Sequence, residues 1–394
     1  MKKTLLCISQ TAPYNSVPHA GGKIHYYYLK KLMKDYDITL ITGLIDKKYR
    51  ADFYKGKLDI QTYCYFLPEK GIHSINELYN KIKWKFQRKF LAKQKYFNLQ
   101  NVMQIDYVNH ILKKLFKENY SPDQILLDWT DSLLYVDKIR KYFPNTKITL
   151  TEQDVTFQNL YRRWINSNNK KIKKLYLREK EWELKSINKI DCVNVLNEKD
   201  KKLLLDNGII ESKIKVIVPY YDQYFDYTYK YVNNNIIFYG AMYRPENREA
   251  VHWFIENVFY KLPDTFTFTI IGGNPTDDIK NLNSKRIKVT GFVNELKNYF
   301  ENALCMVVPL INGAGIKIKV LEGMSASLPV LTNEIGIEGI PAKDGDNFLF
   351  CNTPDNYINE ILKLSKDEKY ARNISNNARN FVKDEFNFEN CSYL

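Results

Sequence analysis

Short apolar runs alternate with longer stretches of mixed polarity along the first 218 residues. The runs are rich in β-branched and aromatic residues, which is typical of buried strands, and the stretches between them have helical spacing. They predict strands at 4–8, 38–43, 61–67, 124–128, 147–151, 192–196 and 214–218. Strands that alternate with helices form βαβ units, so we expect a parallel sheet covered by helices on both faces.

A second series of apolar runs follows a break at about 219–234. This segment is rich in Tyr, Asp and Asn and shows neither the strand period nor the helix period of apolar residues. This series predicts strands at 235–240, 266–271, 287–292, 304–309, 329–332 and 347–351. We therefore expect an N-terminal domain at 1–220, a linker at 221–234, a C-terminal domain at 235–380, and a tail at 381–394 that could pack back on the N-terminal domain. Ligands of such sheets bind beyond the carboxyl ends of the strands.

The composition is that of a folded protein with more than one domain. The 394 residues are 44% hydrophobic and 26% charged, and the six cysteines are scattered without a CxxC pair. This argues against a disulfide framework or a zinc ribbon and fits a reducing compartment. Since no signal-peptide core and no membrane-spanning apolar stretch is evident, we expect a cytoplasmic protein that is soluble or peripheral.

The net charge of +14 is divided unevenly along the chain. Residues 1–230 contain 42 basic and 25 acidic side chains, a net charge of +17, whereas residues 231–394 have a net charge of −3. The basic half predicts an anionic partner. We expect an anionic membrane surface and no nucleic acid, because no nucleic-acid-binding module is recognisable.

The segment 81–95 contains seven cations and no acid. Ile82, Phe86 and Phe90 recur at helical spacing and predict an amphipathic helix, whose apolar side either enters a membrane interface or packs on its own domain. A second basic cluster at 162–180 could reinforce membrane binding. The cations expected to meet a membrane or an acceptor are Lys83, Lys85, Arg88 and Lys89.

A long loop after the first strand could bind an anion. Gly21 and Gly22 precede a helix that we expect from about Ile24, and the N–H groups and dipole of that helix would face a phosphate. A flexible glycine turn is the alternative. His19, in the same loop, is a candidate base.

A second glycine loop, at 313–322, follows the strand that ends at 309. Its glycines allow a ligand to approach the backbone closely, and a helix expected from about Ile316 would direct N–H groups at a phosphate. Lys319 and Glu322 lie three residues apart and share one helix face. They could offer a cation to a diphosphate and a carboxylate to a sugar hydroxyl, or they could form a surface salt bridge.

These motifs resemble the retaining glycosyltransferases of family 4, which have the GT-B architecture. The segment PLINGAGIKIKVLEGMSASLPVLTNEIGIEGI, at 309–340, is similar to the donor-binding signature of that family. Further similarity is found at 20–23, 151–164, 238–247, 269–273 and 289–296. The resemblance implies an α/β protein of the GT-B class, with two Rossmann-like parallel-sheet domains facing each other across a cleft.

The resemblance also implies roles for individual residues. Glu322 would bind the ribose hydroxyls of a nucleotide sugar, while Lys319 and Arg244 would neutralise its diphosphate. Gln153 would lie beside the reacting sugar. The other implied donor-binding residues are Gly21, Gly22, Val293, Gly313, Ala314, Gly315, Ile316 and Lys317.

The sequence departs from the family pattern at several positions. The first of two family glutamates falls on Ala314, and an arginine after Gly240 and a lysine beyond it are replaced by Ala241 and Asn247. Gln153 replaces a histidine and cannot titrate, so it would act by hydrogen bonding. These departures leave an alternative open, a catalytically silent GT-B protein that binds and stabilises an active partner.

The sequence thus predicts a retaining hexosyltransferase that uses a nucleotide diphosphate sugar, most simply of the UDP type. The acceptor would be a glycan, glycolipid or glycoprotein in bacterial-type surface polysaccharide or glycoconjugate synthesis. We expect no metal and no cofactor besides this co-substrate, because no DxD pair or His/Cys cluster stands in a suitable context and lysines could neutralise the phosphates. The expected location is the cytoplasm, with peripheral binding to the inner face of the plasma membrane.

Overall fold

The chain folds into two compact units that divide between Ile217 and Val218. Each unit is an α/β structure built on one parallel sheet. The computed structural model describes residues 2–15, 17, 20–45, 49–66, 83, 85, 99–217, 224–313 and 315–387.

In the N-terminal unit, the described residues form a sheet with the strand order β3-β2-β1-β4-β5-β6-β7, in which neighbouring strands are parallel. The strands are β1 (Lys3–Ser9), β2 (Tyr36–Ile45), β3 (Gln61–Phe66), β4 (Gln124–Asp128), β5 (Lys147–Glu152), β6 (Cys192–Val195) and β7 (Ile214–Val216). The order reverses between β1 and β4. Open α/β sheets bind ligands at such a switch point, which here lies beyond Ser9 and Asp128.

Helices connect these strands and bury apolar side chains against both faces of the sheet. Leu112, Ile139 and Ile187 are among the fully or nearly fully buried side chains of the resulting core. The helices are α1 (Ala20–Leu32), α2 (Arg50–Gly56), α3 (Leu99–Lys117), α4 (Val136–Tyr142), α5 (Thr156–Ser167), α6 (Lys170–Ile187) and α7 (Glu198–Asp206), with short 3-10 helices at Thr130–Tyr135 and Glu211–Lys213.

The C-terminal unit repeats this plan with the order β10-β9-β8-β11-β12-β13, again parallel. Its strands are β8 (Asn235–Tyr239), β9 (Thr267–Ile271), β10 (Ile287–Gly291), β11 (Cys305–Val308), β12 (Val330–Thr332) and β13 (Leu349–Phe350). Its helices are α8 (Pro245–Asn257), α9 (Asp277–Lys280), α10 (Lys297–Glu301), α11 (Ile318–Ser325), α12 (Pro354–Lys366) and α13 (Glu368–Glu385), with a 3-10 helix at Phe259–Lys261. The switch point lies between β8 and β11.

The predicted α/β class with two Rossmann-like parallel sheets is confirmed, and every predicted strand is present. Two predicted helix starts are wrong. Helix α1 begins at Ala20, so Gly21 and Gly22 lie inside its first turn. Helix α11 begins at Ile318, because Lys317 before it has extended backbone angles and Gly315 has a positive φ of 68°.

The described part of the predicted linker packs on the C-terminal unit. Thr228 N donates to Glu301 Oε1 (2.9 Å), and Tyr229 OH donates to the Leu304 carbonyl (2.9 Å). Residues 224–231 are thus an ordered extension of this unit. The predicted tail begins inside α13, and residues 388–394 lie outside the described part of the chain.

Candidate active site

The ammonium group of Lys319 lies at the switch point of the C-terminal sheet. Lys319 is in the first turn of α11, its Nζ donates to Asn247 Oδ1 (2.5 Å), and it lies 4.7 Å from the centre of the Phe238 ring. Burial, helped by the positive charge of Arg244, lowers the pKa of Lys319 to about 7. Such a lysine gains charge when an anion binds beside it.

Gly240, directly after β8, makes room for this lysine. A Cβ at Gly240 would lie 2.6 Å from Lys319 Nζ and 2.8 Å from Asn247 Nδ2. Asn247 is 4% exposed, and its Nδ2 donates to the Ala241 carbonyl (2.8 Å), which turns its oxygen toward the lysine. Asn247 therefore holds Lys319 in place. The sequence marked this position only as a departure from a family pattern.

Arg244 occupies the N-cap position of α8, near Lys319. Its guanidinium group pairs with Glu246 (2.7 Å), and the Arg244 side chain is 56% exposed. An exposed pair of this kind is weak and can exchange its carboxylate for a phosphate. The first-turn N–H groups of α8 add to the positive potential at this edge.

Glu322 is one turn beyond Lys319 on α11 and is 5% exposed. Its carboxylate is the largest cause of the raised pKa of Tyr239, ahead of burial. Because Tyr239 ends β8, Glu322 lies at the same carboxyl edge as Lys319. A cation and a carboxylate are thus placed at one switch point, as a diphosphate and a sugar hydroxyl would require.

The glycine loop before α11 is held by Lys317. The Lys317 ammonium donates to the Gly315 carbonyl (2.5 Å) and lies 3.6 Å from Glu338 Oε2, in a pair whose side chains are 10% and 2% exposed. Lys317 therefore shapes the loop through Glu338, a partner that sequence reasoning missed. Gly313 has a positive φ of 148°, Gly315 is buried and Ile316 is half-buried, while Ala314 lies outside the described residues.

Val293 follows β10 and is half-buried. Its neighbour Phe292 is 77% exposed, and its ring lies 3.6 Å from the position that a Cβ at Gly273 would occupy. An aromatic face therefore stands next to Val293, one of the implied donor-binding residues.

In the N-terminal unit, Gly21 and Gly22 lie at the carboxyl edge of the sheet. A Cβ at Gly21 would lie 2.3 Å from Trp129 Cζ2, so the indole needs a glycine there. This contact gives Gly21 a packing role, and anion binding by the two glycines stays a prediction. His19 lies outside the described part of the chain.

Gln153 is 8% exposed and lies just beyond β5. Its Nε2 donates to Oδ1 of Asp128, the last residue of β4 (3.0 Å), and Asp128 Oδ2 lies 2.9 Å from His25 Nδ1. Sequence reasoning missed Asp128 and His25. The available signal was position, since Asp128 ends the predicted strand 124–128 and His25 follows the glycine pair by one helical turn.

Glu152, beside Gln153, is a buried carboxyl group whose neighbours are also acidic. Burial raises the pKa of Glu152 to about 8, although hydrogen bonds with Glu183 and Thr130 oppose the shift. This pKa lies above the value for an unfolded chain, so folding takes up a proton, and stability falls as the pH rises from about 4.5 to about 8.

The variant Glu152→Gln should therefore gain stability at alkaline pH. An amide keeps the hydrogen bonds of the protonated acid and has no proton to lose. We expect a free energy of unfolding about 2 kcal/mol above that of the wild type at pH 8.5, and little difference at pH 5. Denaturant unfolding at both pH values measures this, and an equal difference at both would contradict it.

Of the predicted membrane or acceptor cations, Lys83 and Lys85 are exposed. Lys83 pairs with Asp106 on α3 (2.7 Å), so part of its charge is compensated. Arg88, Lys89, Phe86 and Phe90 lie outside the described residues.

The second basic cluster lies on the hairpin of α5 and α6. Trp164 stacks on Tyr176 with ring centres 5.7 Å apart, and Tyr161 is 44%, Ile165 54% and Leu177 52% exposed. Exposed cations surround these apolar side chains; they are Arg163, Lys170, Lys171, Lys173 and Lys174.

No helix in the described part of the chain has the length and apolar character needed to cross a bilayer. Among the same residues, no group of three or more His, Cys, Asp or Glu side chains is arranged to hold a metal ion.

Comparisons with known proteins agree with this architecture. Residues 233–367 match the family model "Glycosyl transferases group 1". An uncharacterized 44.6 kDa protein in the cps region of Klebsiella pneumoniae is 25% identical over 245 residues, which are 57% of this chain and 62% of that protein. An uncharacterized glycosyltransferase of Methanocaldococcus jannaschii is 29% identical over 135 residues, 32% of this chain and 38% of that protein.

Among solved structures, HepE of Anabaena in complex with UDP superposes with a TM-score of 0.69 at 13% identity. The alignment covers 98% of this chain and 96% of that one. The likeness extends over the fold of both units. The matches to the two relatives span less than two thirds of the relatives' own lengths. Residues 233–367 are thus similar to the glycosyl transferases of group 1, and the solved structures share the fold of this chain.

Proposed function

We propose that the protein is a retaining hexosyltransferase that transfers a sugar from a UDP-type nucleotide sugar to a glycan, glycolipid or glycoprotein acceptor. The setting would be surface polysaccharide or glycoconjugate synthesis, and a relative in a cps region supports this setting. The activity would take place at the cytoplasmic face of the plasma membrane.

The observation that carries this proposal is the position of Lys319. It lies at the switch point of a Rossmann-like sheet, between the N-terminal ends of α8 and α11, with its pKa lowered to about 7. Arg244 stands beside it with an exposed guanidinium group. Negative charge develops on the departing diphosphate during transfer, and preorganised cations and helix N-termini stabilise such charge.

In this proposal the nucleoside binds along the same edge. Glu322 accepts hydrogen bonds from the ribose hydroxyls, and the backbone at Val293 meets the base. Amides of the glycine loop from Gly313 to Ile316 hold the sugar, and this assignment includes Ala314. HepE is a structural neighbour solved with UDP and with UDP-glucose, which supports a UDP-type donor.

We further propose that the reaction needs no metal ion. The charge of the diphosphate would be met by Lys319, Arg244 and the two helix N-termini. Turnover that is unchanged after treatment with a chelator would support this part of the proposal, and restoration by added Mg²⁺ or Mn²⁺ would overturn it.

Equilibrium binding of UDP and UMP tests the diphosphate site. The β-phosphate adds charge-assisted contacts with Lys319 and Arg244, so UDP should bind at least about tenfold more tightly than UMP. Titration calorimetry at pH 7 measures both affinities, with uridine as the control. Equal affinities for UDP and UMP would contradict the assignment of Lys319 and Arg244 to a diphosphate.

The catalytically silent alternative rests on Ala314 and Gln153. It predicts that nucleotide sugars bind without release of UDP, even with plausible acceptors present. Turnover above the uncatalysed rate excludes it.

We propose an anionic membrane as a partner of the N-terminal unit. The hairpin of α5 and α6 combines exposed apolar side chains with five exposed cations, and near an anionic lipid surface each cation contributes about 1 kcal/mol. Screening by salt weakens such binding, because the Debye length is about 10 Å at 0.1 M.

A fourfold charge neutralisation should release the protein from anionic vesicles. In low salt, replacing Arg163, Lys170, Lys171 and Lys174 by Gln should weaken cosedimentation by two to three orders of magnitude, an effect of about 1 kcal/mol per cation. The matched control replaces four exposed lysines of the C-terminal unit, which are Lys261, Lys343, Lys366 and Lys369. Equal loss in both variants, or no binding by the wild type, would contradict a membrane-facing hairpin.

A further inference from the structure

Three side chains from β1, α1 and β4 and one from the residue after β5 form a continuous chain of contacts at the carboxyl edge of the N-terminal sheet. Cys7 Sγ lies 3.4 Å from His25 Nε2, and His25 Nδ1 lies 2.9 Å from Asp128 Oδ2. Gln153 Nε2 donates to the other oxygen of Asp128 (3.0 Å). Exposure is 0% for Cys7, 2% for His25 and Asp128, and 8% for Gln153.

Charges along this chain follow from its surroundings. Burial raises the pKa of the Cys7 thiol, which is therefore neutral. Burial is the largest influence on His25 and disfavours its charged form, but the charges of Asp128 and Cys7 and the hydrogen bonds with both side chains together raise the pKa of His25. His25 Nδ1 faces Asp128 Oδ2 at 2.9 Å, and both side chains are buried.

The Asp128 carboxylate fixes the orientation of the Gln153 amide. An ionised carboxylate has only acceptor atoms, so the amide must turn its nitrogen toward Asp128. The amide oxygen is then the group that Gln153 has left for a ligand, and it can only accept a hydrogen bond.

The neighbouring backbone also marks this edge as specialised. Trp129, directly after Asp128, has φ 70° and ψ 144°, a region that side chains other than glycine rarely occupy. Ser132 Oγ donates to the Asp128 carbonyl (2.5 Å), and Trp129 N donates to the Thr151 carbonyl (3.0 Å). Strained backbone of this kind persists where the surrounding contacts hold it, and it is concentrated at functional sites.

We propose that Asp128 and His25 are positioning residues, which lock the Gln153 amide so that its oxygen accepts a hydrogen bond from a hydroxyl group of the sugar substrate. This inference rests on the proposed function for the identity of the hydroxyl. Gln153 would then act as a fixed hydrogen-bond acceptor and would take no part in acid–base chemistry. Asp128, which contacts Gln153, and His25, which contacts Asp128, set the orientation of its amide.

The orientation can be tested without turnover. In the full-length protein with ¹⁵N-labelled glutamine, the Gln153 side-chain amide should exchange slowly with solvent, and Asp128→Asn should shift its signal. The control Asp191→Asn removes a carboxylate at the amino edge of the same sheet, where Asp191 accepts from Ile148 N (2.7 Å), and should leave the signal unchanged. A Gln153 signal insensitive to Asp128→Asn would overturn the proposal.

The wild-type protein provides a readout that needs no folded variant. With ¹⁵N-labelled histidine at pH 8, His25 Nδ1, the ring nitrogen that faces Asp128, should be protonated. An unprotonated Nδ1 would mean that His25 does not hold the Asp128 carboxylate and would overturn the proposal.

Kinetics separate a positioning role from a structural one. Asp128→Asn should lower kcat about tenfold in the wild-type background and have little effect in a Gln153→Ala background, because it acts through the amide. Equal losses in both backgrounds would mean a structural role and contradict the inference. Complete inactivity of the wild type would contradict the proposed function. The NMR measurements would still show whether Asp128 orients the Gln153 amide.

Discussion

Replacement of Lys319 by methionine should lower kcat by about 10² to 10³-fold while the protein stays folded. The half-buried ammonium group of Lys319 lies at the switch point, and removal of one preorganised charge at a site of developing negative charge has effects of this size. Methionine fills similar space beside Phe238 and spares the desolvation of a half-buried charge, so Tm should change by only a few degrees. Steady-state release of UDP and a thermal melt measure the two quantities.

The matched control is Lys363→Met. Lys363 also stacks on an aromatic ring of the C-terminal unit, 3.7 Å from the centre of Tyr370, but outside the proposed site. Its replacement should leave kcat unchanged. Equal losses in both variants would show that the effect is one of packing.

Because the pKa of Lys319 is lowered, the affinity for UDP should depend on pH. Above about pH 7 the free lysine is mostly neutral, and a bound diphosphate must draw a proton onto it, so UDP affinity should fall between pH 7 and pH 9. In Lys319→Met this fall should be absent. Calorimetry in buffers with different ionisation enthalpies should show proton uptake on UDP binding to the wild type at pH 8.

Replacement of Glu322 by glutamine should weaken UDP binding by about ten- to a hundredfold. A buried carboxylate that accepts hydrogen bonds from ribose hydroxyls contributes about 1.5 to 3 kcal/mol per bond, and a neutral amide gives up most of this. The 2′-deoxy analogue of UDP has lost one hydroxyl already, so its affinity should fall less. Parallel titrations with UDP and the analogue measure the difference.

Glu301→Gln serves as the control for this variant. Glu301 is also 5% exposed and belongs to the same unit, but it holds Thr228 N and Lys230. We expect it to lower Tm without changing the preference for ribose. If Glu322→Gln lowers the affinities for UDP and its analogue equally, Glu322 acts on Tyr239 and the fold, and its assignment to ribose is wrong.

The sequence was sufficient to predict the sheets because each parallel strand, buried on both faces, is a short continuous apolar run. The run at 124–128 coincides with β4. Helix starts were harder, since they depend on backbone angles that the sequence does not display. Gly315, with its positive φ, and the extended Lys317 delay α11 to Ile318.

Candidate site residues were predictable where a glycine loop is followed directly along the chain by a helix. Lys319 and Glu322 are examples. Residues brought together by strand order could not be found this way. Asp128 and His25 are more than a hundred positions apart, and only the β1-β4 neighbourhood joins them. In the sequence, Asn247 is only a position where a family lysine is replaced. The hydrogen bond between its amide and Lys319 is visible only in the structure.

In the proposed function, Lys319 and its neighbours act on the diphosphate of a nucleotide sugar. The most direct test is release of nucleoside diphosphate from a panel of nucleotide sugars, with and without glycan and lipid-linked acceptors, by the wild type and by Lys319→Met. We expect at least one donor to be turned over by the wild type, faster with an acceptor, and about 10² to 10³-fold more slowly by the variant. Turnover that Lys319→Met leaves unchanged would show that Lys319 does not act on the diphosphate.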